Sequence, residues 1–306
     1  MINSEKKSTI KEGKCLWCKS KTSLAISCFD TLYGIPGKRD YYFCPQCHSY
    51  SIYPVPSEKE LTHFYETYYP LDNEITLLNR GFLHRLWQRL DGQDCLGEIL
   101  KPGSVLDIGC GNGSLLATAQ NMGHEVWGQE FNPVTLKSLE QKGFKVTDKP
   151  ITSDYFPRQY FTNVVLSQVI EHVPDPVQLL RDILPLLNDQ GQIIISTPNP
   201  QSLLAKIFKN HWIAWHPPFH LCLISVSALT DIAKQLNLKC TKVSKRTRSW
   251  YFHVSFCSYR YGKEGEINTH IYQGLSLWKK LILIPWLRLI DLLGWGNDTI
   301  VVLSKE

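Results

Sequence analysis

No stretch of this 306-residue chain offers the ~20 continuous apolar residues that a bilayer-spanning helix needs. The opening segment, Met1–Lys14, is polar and lysine-rich, and it lacks the apolar core of a signal peptide. We therefore expect a cytoplasmic protein whose ten cysteines stay reduced and either bind metal or fill the core. Its length permits one well-cored domain of about 200 residues plus smaller appendages.

A glycine-rich turn follows a strand-like apolar run. Val105–Ile108 predict a buried parallel strand, and Ser114–Met122 predict the helix that follows it. The turn between them carries Gly109, Gly111 and Gly113. Glycines let a backbone approach a ligand without Cβ clashes, and open α/β sheets bind cofactors at the carboxyl ends of their strands. Glu130, at the end of the next predicted strand, can accept both hydroxyls of a ribose, so the pattern indicates an adenosine-containing cofactor.

Two positions distinguish between classes of adenosine cofactor. The dinucleotide fingerprint requires glycine or alanine at position 114, where this chain has Ser114. Asp107 lies two residues before the first glycine, where a carboxylate suits a cationic amino-acid group and would repel a pyrophosphate. In this acid-x-G-x-G-x-G pattern the chain resembles the class I S-adenosylmethionine-dependent methyltransferases. A nicotinamide dinucleotide and a ligand-free structural turn are the alternatives.

The resemblance implies an α/β fold with a doubly wound, Rossmann-like sheet of seven strands and S-adenosylmethionine as the cofactor. It implies that Asp107 and the glycine turn hold the methionine end, that Glu130 holds the ribose and that Phe131 packs near the adenine. Four further residues are expected at the cofactor by their position: Cys110, Asp148, Ser167 and Gln168. For Asp148, a plain turn carboxylate is the alternative.

The resemblance continues through Asn163–Pro176, which looks like the fourth strand and following loop of this family. Within it, a Glu-His-x-x-Asp-Pro stretch beginning at Glu171 is similar to a subgroup that acts on small molecules and sugars. The chain departs from the family at Asn163, where aspartate usually opens the strand. The matched core spans roughly 100–245.

Three histidines are candidates for the catalytic base. Methyl transfer to a hydroxyl requires alignment of donor and acceptor and removal of a proton, and histidine suits the second task because its pKa lies near neutrality. His172 follows the fourth predicted strand, while His216 and His220 lie in an aromatic loop, Trp212–Ser225, after the fifth. For His172, a structural role that holds the loop by hydrogen bonds is the alternative.

Four cysteines form two matched pairs, Cys15-x-x-Cys18 and Cys44-x-x-Cys47. Two such pairs can place four thiolates on one tetrahedral ion, which leaves no position for an activated water, so the predicted zinc is structural. A redox dithiol and replacement of Cys47 by His48 are the alternatives. The strand-forming segment between the pairs favours a zinc ribbon.

The predicted organisation has three parts. Residues 1–56 form the zinc-ribbon-like module, residues 57–100 a helical linker and lid, and residues 101–306 the methyltransferase domain with an insertion at about 246–296. Tyr65 and Tyr69, in a tyrosine-rich helix of the linker, are candidate pocket contacts; packing of the ribbon onto the core is the alternative role.

Nucleic acid is not the expected partner. The ribbon lacks a dense basic stripe interleaved with aromatics, and Ser167-Gln168-Val169 is not the Asn/Asp-Pro-Pro-aromatic motif of base-amino methylation. Residues 234–263 hold eight lysines and arginines and no acid, which suits a phosphate-bearing acceptor or a solvated surface. Residues 275–295 predict an apolar, tryptophan-rich helix that contacts the inner face of a membrane, with a lid or a dimer contact as alternatives.

The resulting hypothesis is a methyltransferase that uses S-adenosylmethionine to methylate an oxygen of a sugar-containing or lipid-linked small molecule. The acceptor assignment rests on the resemblance alone. Carbon methylation of a nucleotide sugar and RNA methylation are the alternative reactions. A zinc-ribbon adaptor with a degenerate methyltransferase fold is the alternative from a different class of protein.

Overall fold

A computed structural model of the chain describes residues 13–68, 82–92 and 96–305, and the candidate contact Tyr69 lies outside them. The described residues form two β-sheets and the helices packed on them. The strands are β1 Gly13–Lys14, β2 Lys21–Phe29, β3 Lys38–Phe43, β4 Tyr50–Ile52, β5 Ser104–Ile108, β6 Glu125–Gln129, β7 Lys145–Thr147, β8 Phe161–Ser167, β9 Leu187–Pro198, β10 Cys222–Leu223, β11 Leu238–Arg246 and β12 Asp298–Lys305. The α-helices are α1 Glu58–Tyr68, α2 Phe82–Leu90, α3 Ser114–Asn121, α4 Pro133–Gln141, α5 Pro176–Ile183, α6 Leu203–Phe208, α7 Val226–Gln235, α8 Ser249–Tyr261 and α9 Leu277–Leu292.

The larger sheet confirms the predicted seven strands. Its order is β11-β12-β9-β8-β5-β6-β7, and β5 to β9 pair in parallel, whereas β12 runs antiparallel to both neighbours. Every residue of β5 is buried, as expected for a parallel strand covered by helices on both faces. The strand order reverses at β5, and such a switch point is where open α/β sheets form a binding crevice at the carboxyl ends of the strands.

Two helices lie between the last two strands of the chain. The predicted insertion corresponds to the segment after β11 ends at Arg246 and before β12 begins at Asp298, and it contains α8 and α9. Pro285 lies inside α9. None of the helices that the structure describes combines the length and apolar character needed to cross a membrane.

The smaller sheet joins the amino-terminal segment to a distant loop. Its order is β1-β2-β3-β4-β10, and β10 comes from the aromatic loop predicted to carry His216 and His220. Cys222 pairs with Ser51, and the Tyr41 hydroxyl lies 2.7 Å from the carbonyl oxygen of His220. The amino-terminal segment therefore shares a sheet and buried hydrogen bonds with the histidine loop.

Candidate functional site

The glycine turn follows β5 at the carboxyl edge of the larger sheet. Gly109, Gly111 and Gly113 all have positive φ, at 64°, 49° and 73°. A Cβ at Gly109 would lie 2.7 Å from a methyl group of Val169, whereas a Cβ at Gly111 would meet nothing within 4 Å. Glycine is required because side chains rarely adopt this conformation, and the turn is open at Gly111.

Asp107 lies beneath this turn as a buried carboxyl group. Its side chain is 2% exposed, and Oδ1 has no hydrogen-bond partner. Burial, with a smaller contribution from the charge of Glu130, raises the Asp107 pKa to about 8. A buried carboxylate oxygen without a donor is costly, and a cationic group at this position would satisfy it. The site therefore fits the amino-acid end of S-adenosylmethionine.

Glu130 connects the glycine turn to the next helix. One carboxylate oxygen accepts a hydrogen bond of 2.8 Å from the Gly111 amide, and the other accepts one of 2.8 Å from the Asn132 amide. The Asn132 side chain caps α4 by accepting from two amides of its first turn. Each Glu130 oxygen keeps a further lone pair, so the orientation fits the predicted contact with a ribose.

The remaining predicted cofactor residues differ in their placement. Phe131 is 69% exposed, and Asp148 is exposed just after β7. The Cys110 sulfur packs over Gly128 in the core, so only the backbone of this residue is available at the turn. Ser167 ends β8. The next residue, Gln168, adopts a φ of 56°, and its backbone amide donates a hydrogen bond of 2.7 Å to the Ser196 backbone carbonyl. Their contacts with a cofactor stay predictions.

The three candidate histidines come together in one cluster. The ring centroids of His172 and His220 are 4.6 Å apart, and those of His216 and His220 are 5.0 Å apart. Burial lowers the pKa of His172 to about 4 and that of His216 to about 3, and it lowers the pKa of His220 as well. Each ring is therefore neutral near pH 7 and a weaker base than free imidazole.

Glu171 lies against this cluster in the middle of a short 3-10 turn, Ile170–His172. It is fully buried, its Oε2 accepts a 2.9 Å hydrogen bond from Thr197, and its Oε1 has no partner. Burial raises its pKa to about 8. Glu171, His172 and His220 each offer one ligand atom, and these atoms lie within 4.8 Å of one another. Thr197 carries no signal in the sequence, because its contact depends on the pairing of β8 with β9.

The four predicted cysteines also form a cluster. The sulfurs of Cys15 and Cys47 are 3.6 Å apart, those of Cys18 and Cys44 are 3.4 Å apart, and all four lie within 4.8 Å. The Cys47 thiol lowers the Cys15 pKa to about 5, whereas the same contact raises that of Cys47, since two adjacent thiolates repel. The alternative ligand His48 is not part of this group and packs its ring 6.1 Å from that of Phe43.

The two cysteine pairs have the same backbone geometry. In the first, the Cys15 amide donates to Ser20, and the Lys19 amide donates back to Cys15. In the second, the Cys44 amide donates to Ser49, and the His48 amide donates back to Cys44. Lys19 and His48 both have positive φ, at 61° and 56°. Two matching turns that converge on one point are the arrangement expected of paired metal knuckles.

The basic stretch predicted to meet a phosphate is divided among α7, β11 and α8. Lys239 and Lys242 lie exposed on β11, which is an edge strand of the larger sheet, and Lys245 donates to the Gly294 carbonyl at 2.8 Å. Edge strands commonly carry lysine, which discourages pairing with another chain. The solvated-surface alternative therefore accounts for Lys239 and Lys242, whereas Lys245 is held by the Gly294 carbonyl.

Relatives of known name match the central part of the chain. The ubiquinone biosynthesis O-methyltransferase of Caulobacter sp. strain K31 is 30% identical over 124 residues, which are 37% of this chain and 49% of that protein. The protein of the same name from Nitrosospira multiformis is 29% identical over 150 residues, 46% of this chain and 58% of that protein. The chain thus spans about half the length of the curated relatives it matches.

Among solved structures, the 4+2 cyclase SpnF is similar with a TM-score of 0.53 and 16% identity, covering 82% of this chain and 97% of that one. This likeness shows the fold alone. The family described as "Methyltransferase domain" matches residues 78–243, more than half of the chain, and includes the glycine turn, Glu130 and the loop after β8. On this match, with the fold and the turn as described, the chain belongs to the methyltransferase domain family.

Proposed function

We propose that this chain is an S-adenosylmethionine-dependent methyltransferase that acts on an oxygen of a small molecule. The observation that carries the proposal is the buried Asp107 carboxyl with an unpartnered oxygen, beneath a glycine turn that Glu130 holds by its Gly111 amide. When bound, S-adenosylmethionine supplies a methyl group on a positively charged sulfur. Asp107 would hold its amino-acid end and Glu130 its ribose. Oxygen as the acceptor atom is supported by the names of the relatives, which are O-methyltransferases.

The acceptor class remains the one predicted from the family resemblance, a sugar-containing or lipid-linked molecule. Arg246, which ends β11, and Arg260, near the end of α8, are exposed and belong to a stretch without acids, which supports a phosphate on this acceptor.

We further propose that the four cysteines hold one structural Zn²⁺ ion. In a tetrahedral site with Zn–S bonds of about 2.3 Å, sulfurs lie on the order of 3.8 Å apart. The observed separations of 3.4 and 3.6 Å are close to this value and far above a disulfide bond length of about 2 Å. Four thiolates close the coordination sphere, so the ion stabilises the fold and takes no part in chemistry.

The predicted membrane contact through 275–295 belongs to the same proposal. On α9, Trp278 is 77% exposed, Ile282 80% and Leu292 85%. Lys279 lies next to Trp278 and would face anionic headgroups. A lipid-linked acceptor would lie near such a surface.

The substitution Asp107→Asn tests the methyl-donor site. We expect it to weaken binding of S-adenosylhomocysteine by about 10- to 100-fold, because a hydrogen bond to a charged group is worth roughly 1.5–3 kcal/mol. Binding of 5′-methylthioadenosine, which lacks the amino-acid portion, should change little. Titration calorimetry measures both affinities.

Asp231→Asn, which removes an exposed carboxylate 4.0 Å from Lys234, is the matched control and should leave both affinities unchanged. Equal weakening of the two ligands by Asp107→Asn would contradict the assigned contact. A wild-type protein that gives no saturable heat with either ligand would favour the degenerate-fold adaptor.

A further inference from the structure

We propose that Glu171, His172 and His220 form a second metal site, open to ligands, which binds a divalent transition-metal ion and, through it, the oxygen of the methyl acceptor. The role toward the acceptor rests on the proposed function, whereas the metal site stands on its own geometry. The three ligand atoms already lie within 4.8 Å of one another. Two imidazoles and one carboxylate suit ions such as Zn²⁺, Fe²⁺ or Co²⁺.

The strongest local support for a cation site is the Glu171 carboxylate, because its Oε1 atom has no hydrogen-bond partner. The Glu171 side chain is 0% exposed, and no residue that the structure describes donates to Oε1. The other oxygen is held by the Thr197 hydroxyl at 2.9 Å. A ligating carboxylate is commonly held by just such a hydrogen bond on its second oxygen.

The histidines are oriented as metal ligands are. His220 Nδ1 lies 2.7 Å from the Ala214 carbonyl oxygen, which can only accept, so Nδ1 carries the proton and Nε2 keeps its lone pair. The His172 ring hydrogen-bonds to the Phe219 backbone, and its Nδ1 also lies 3.1 Å from the Tyr65 hydroxyl. For His220, the backbone acceptor on one ring nitrogen fixes the tautomer that binds metal through the other.

The backbone fixes the three residues relative to one another. The Leu221 amide donates to the Glu171 carbonyl at 2.7 Å, which ties the loop after β8 to the loop before β10. The Tyr65 hydroxyl, from α1, lies 3.1 Å from His172 Nδ1, so a third segment of the chain contacts the same cluster. The cluster is thus assembled from three separate segments, and its ligand atoms need little rearrangement to receive an ion.

Three protein ligands leave coordination positions free, in contrast to the closed thiolate site. The cluster lies one short turn beyond Val169, whose methyl group covers Gly109, so it borders the donor pocket. An acceptor hydroxyl bound to the ion would release its proton to water. Its oxygen lone pair would then form the new bond to the methyl carbon while the carbon–sulfur bond breaks, and that electron pair would stay on the sulfur as a neutral thioether.

Uptake of Co²⁺ by the zinc-loaded protein tests the site. We expect one equivalent of Co²⁺ to bind in addition to the zinc. The visible absorption of this bound Co²⁺ should lack the intense charge-transfer band of a thiolate ligand. Glu171→Gln should weaken uptake by at least tenfold, and Thr197→Val, which removes the supporting hydroxyl, by about 10- to 100-fold. His220→Asn should also weaken it, since the Asn amide can still donate to Ala214 while Nε2 is lost. His211→Asn, outside the cluster, is the control and should have no effect.

The outcomes separate the two proposals. Absence of Co²⁺ uptake beyond the thiolate site, or uptake that Glu171→Gln and His220→Asn leave unchanged, overturns the metal site even if S-adenosylhomocysteine still binds. Uptake of Co²⁺ by a protein that fails to bind S-adenosylhomocysteine overturns the proposed function and leaves the metal site standing. Acetohydroxamate, a small chelator with two oxygen donors, should change the Co²⁺ spectrum; an unchanged spectrum overturns the role toward the acceptor.

Discussion

Two buried carboxyl groups define the chemistry of this molecule at the scale of single residues. Asp107 and Glu171 each hold one oxygen without a donor, and burial raises the pKa of each to about 8. A folded protein tolerates such groups where a cationic ligand completes them. We assign the first to the amino-acid end of a methyl donor and the second to a metal ion.

The pH dependence of stability tests the state of Asp107. Between about pH 4 and pH 8 the unfolded chain loses this proton whereas the folded chain keeps it, since the pKa rises from 3.8 to about 8 on folding. The unfolded state therefore binds fewer protons, and this group makes the ligand-free protein less stable as the pH rises through that window. Asp107→Asn should remove this loss of stability at higher pH.

Thermal unfolding without ligand measures the effect. The melting temperature of Asp107→Asn minus that of the wild type should grow from about pH 5 to about pH 8.5, by an amount that corresponds to a few kcal/mol. The exposed-site control Asp231→Asn should show no such trend. A difference that is constant over this range would mean that Asp107 is ionised in the folded protein.

At the scale of elements, two positions of the glycine turn need glycine for different reasons, one for packing and one for the bound ligand. Gly113 precedes α3, and a Cβ there would clash with Leu139 of α4, whereas Gly111 faces open space. Both residues have positive φ, so alanine is strained at either position. Only Gly113 is also constrained by packing.

Alanine substitutions at the two positions should therefore behave differently. Gly113→Ala should lower the free energy of unfolding by about 2–5 kcal/mol, from left-handed strain of roughly 1–2 kcal/mol and overpacking of roughly 1–3 kcal/mol. Gly111→Ala should cost only the strain but weaken S-adenosylhomocysteine binding, because its methyl group would project toward the ligand. Urea denaturation and calorimetry measure the two effects. Equal destabilisation by both substitutions would show that the open space at Gly111 closes in solution.

Local patterns predicted the elements well where one segment carries its own signal. The helix after β5 was expected at Ser114–Met122 and lies at Ser114–Asn121, and Ser225 caps α7 by accepting from the Ala228 amide. The helix α5 ends at Ile183 and continues as a short 3-10 turn that includes Pro185. Pro185 has no amide hydrogen to donate, which explains the early end of the α-helix.

The site was predictable only in part. Asp107 and Glu130 carry a motif, so their proximity to the glycine turn followed from spacing. The contact of Thr197 with Glu171 and that of Tyr65 with His172 join segments far apart in sequence, and no local pattern encodes them. The inward rotation of Cys110 depends on the absence of a side chain at Gly128, on a neighbouring strand.

At the scale of the whole molecule, the cysteine cluster and the histidine loop form one structural unit. β10 completes the sheet that the cysteine segment begins, and the Ser225 hydroxyl donates to the Cys47 carbonyl at 2.5 Å. The cysteines Cys15 and Cys44 also share a buried cluster with Leu106 of β5. The metal ion proposed at the cysteines would therefore stabilise the position of His220 from a distance.

Removal of this ion should loosen the histidine loop. Cys44→Ser should lose one equivalent of zinc by elemental analysis, and hydrogen exchange should become faster at Cys222 and Leu223 than in the wild type, while β5 keeps its protection. Cys240→Ser, which changes a half-buried thiol outside the cluster, is the control. An unchanged zinc content in Cys44→Ser would contradict the four-thiolate site.

The exposed face of α9 makes a second prediction for the whole molecule. If it contacts a membrane, the protein should sediment with vesicles that contain anionic phosphatidylglycerol, and Trp278→Glu should reduce this by placing a charge on the apolar face. Leu24→Glu, a change at a residue 56% exposed on β2, should leave sedimentation unchanged. Wild-type protein that stays in the supernatant would instead assign this face to a lid or to contact with a second copy.

The pairing of β4 with β10 also constrains the order in which the chain acquires its structure during synthesis. The strands Tyr50–Ile52 and Cys222–Leu223 are separated by the whole donor-binding half of the larger sheet. While the ribosome is still translating the segment between them, β4 presents an unpaired edge to the surroundings. Only after residue 223 has emerged can the nascent polypeptide cover that edge, so a chaperone that shields extended segments would act on this protein between these two points of translation.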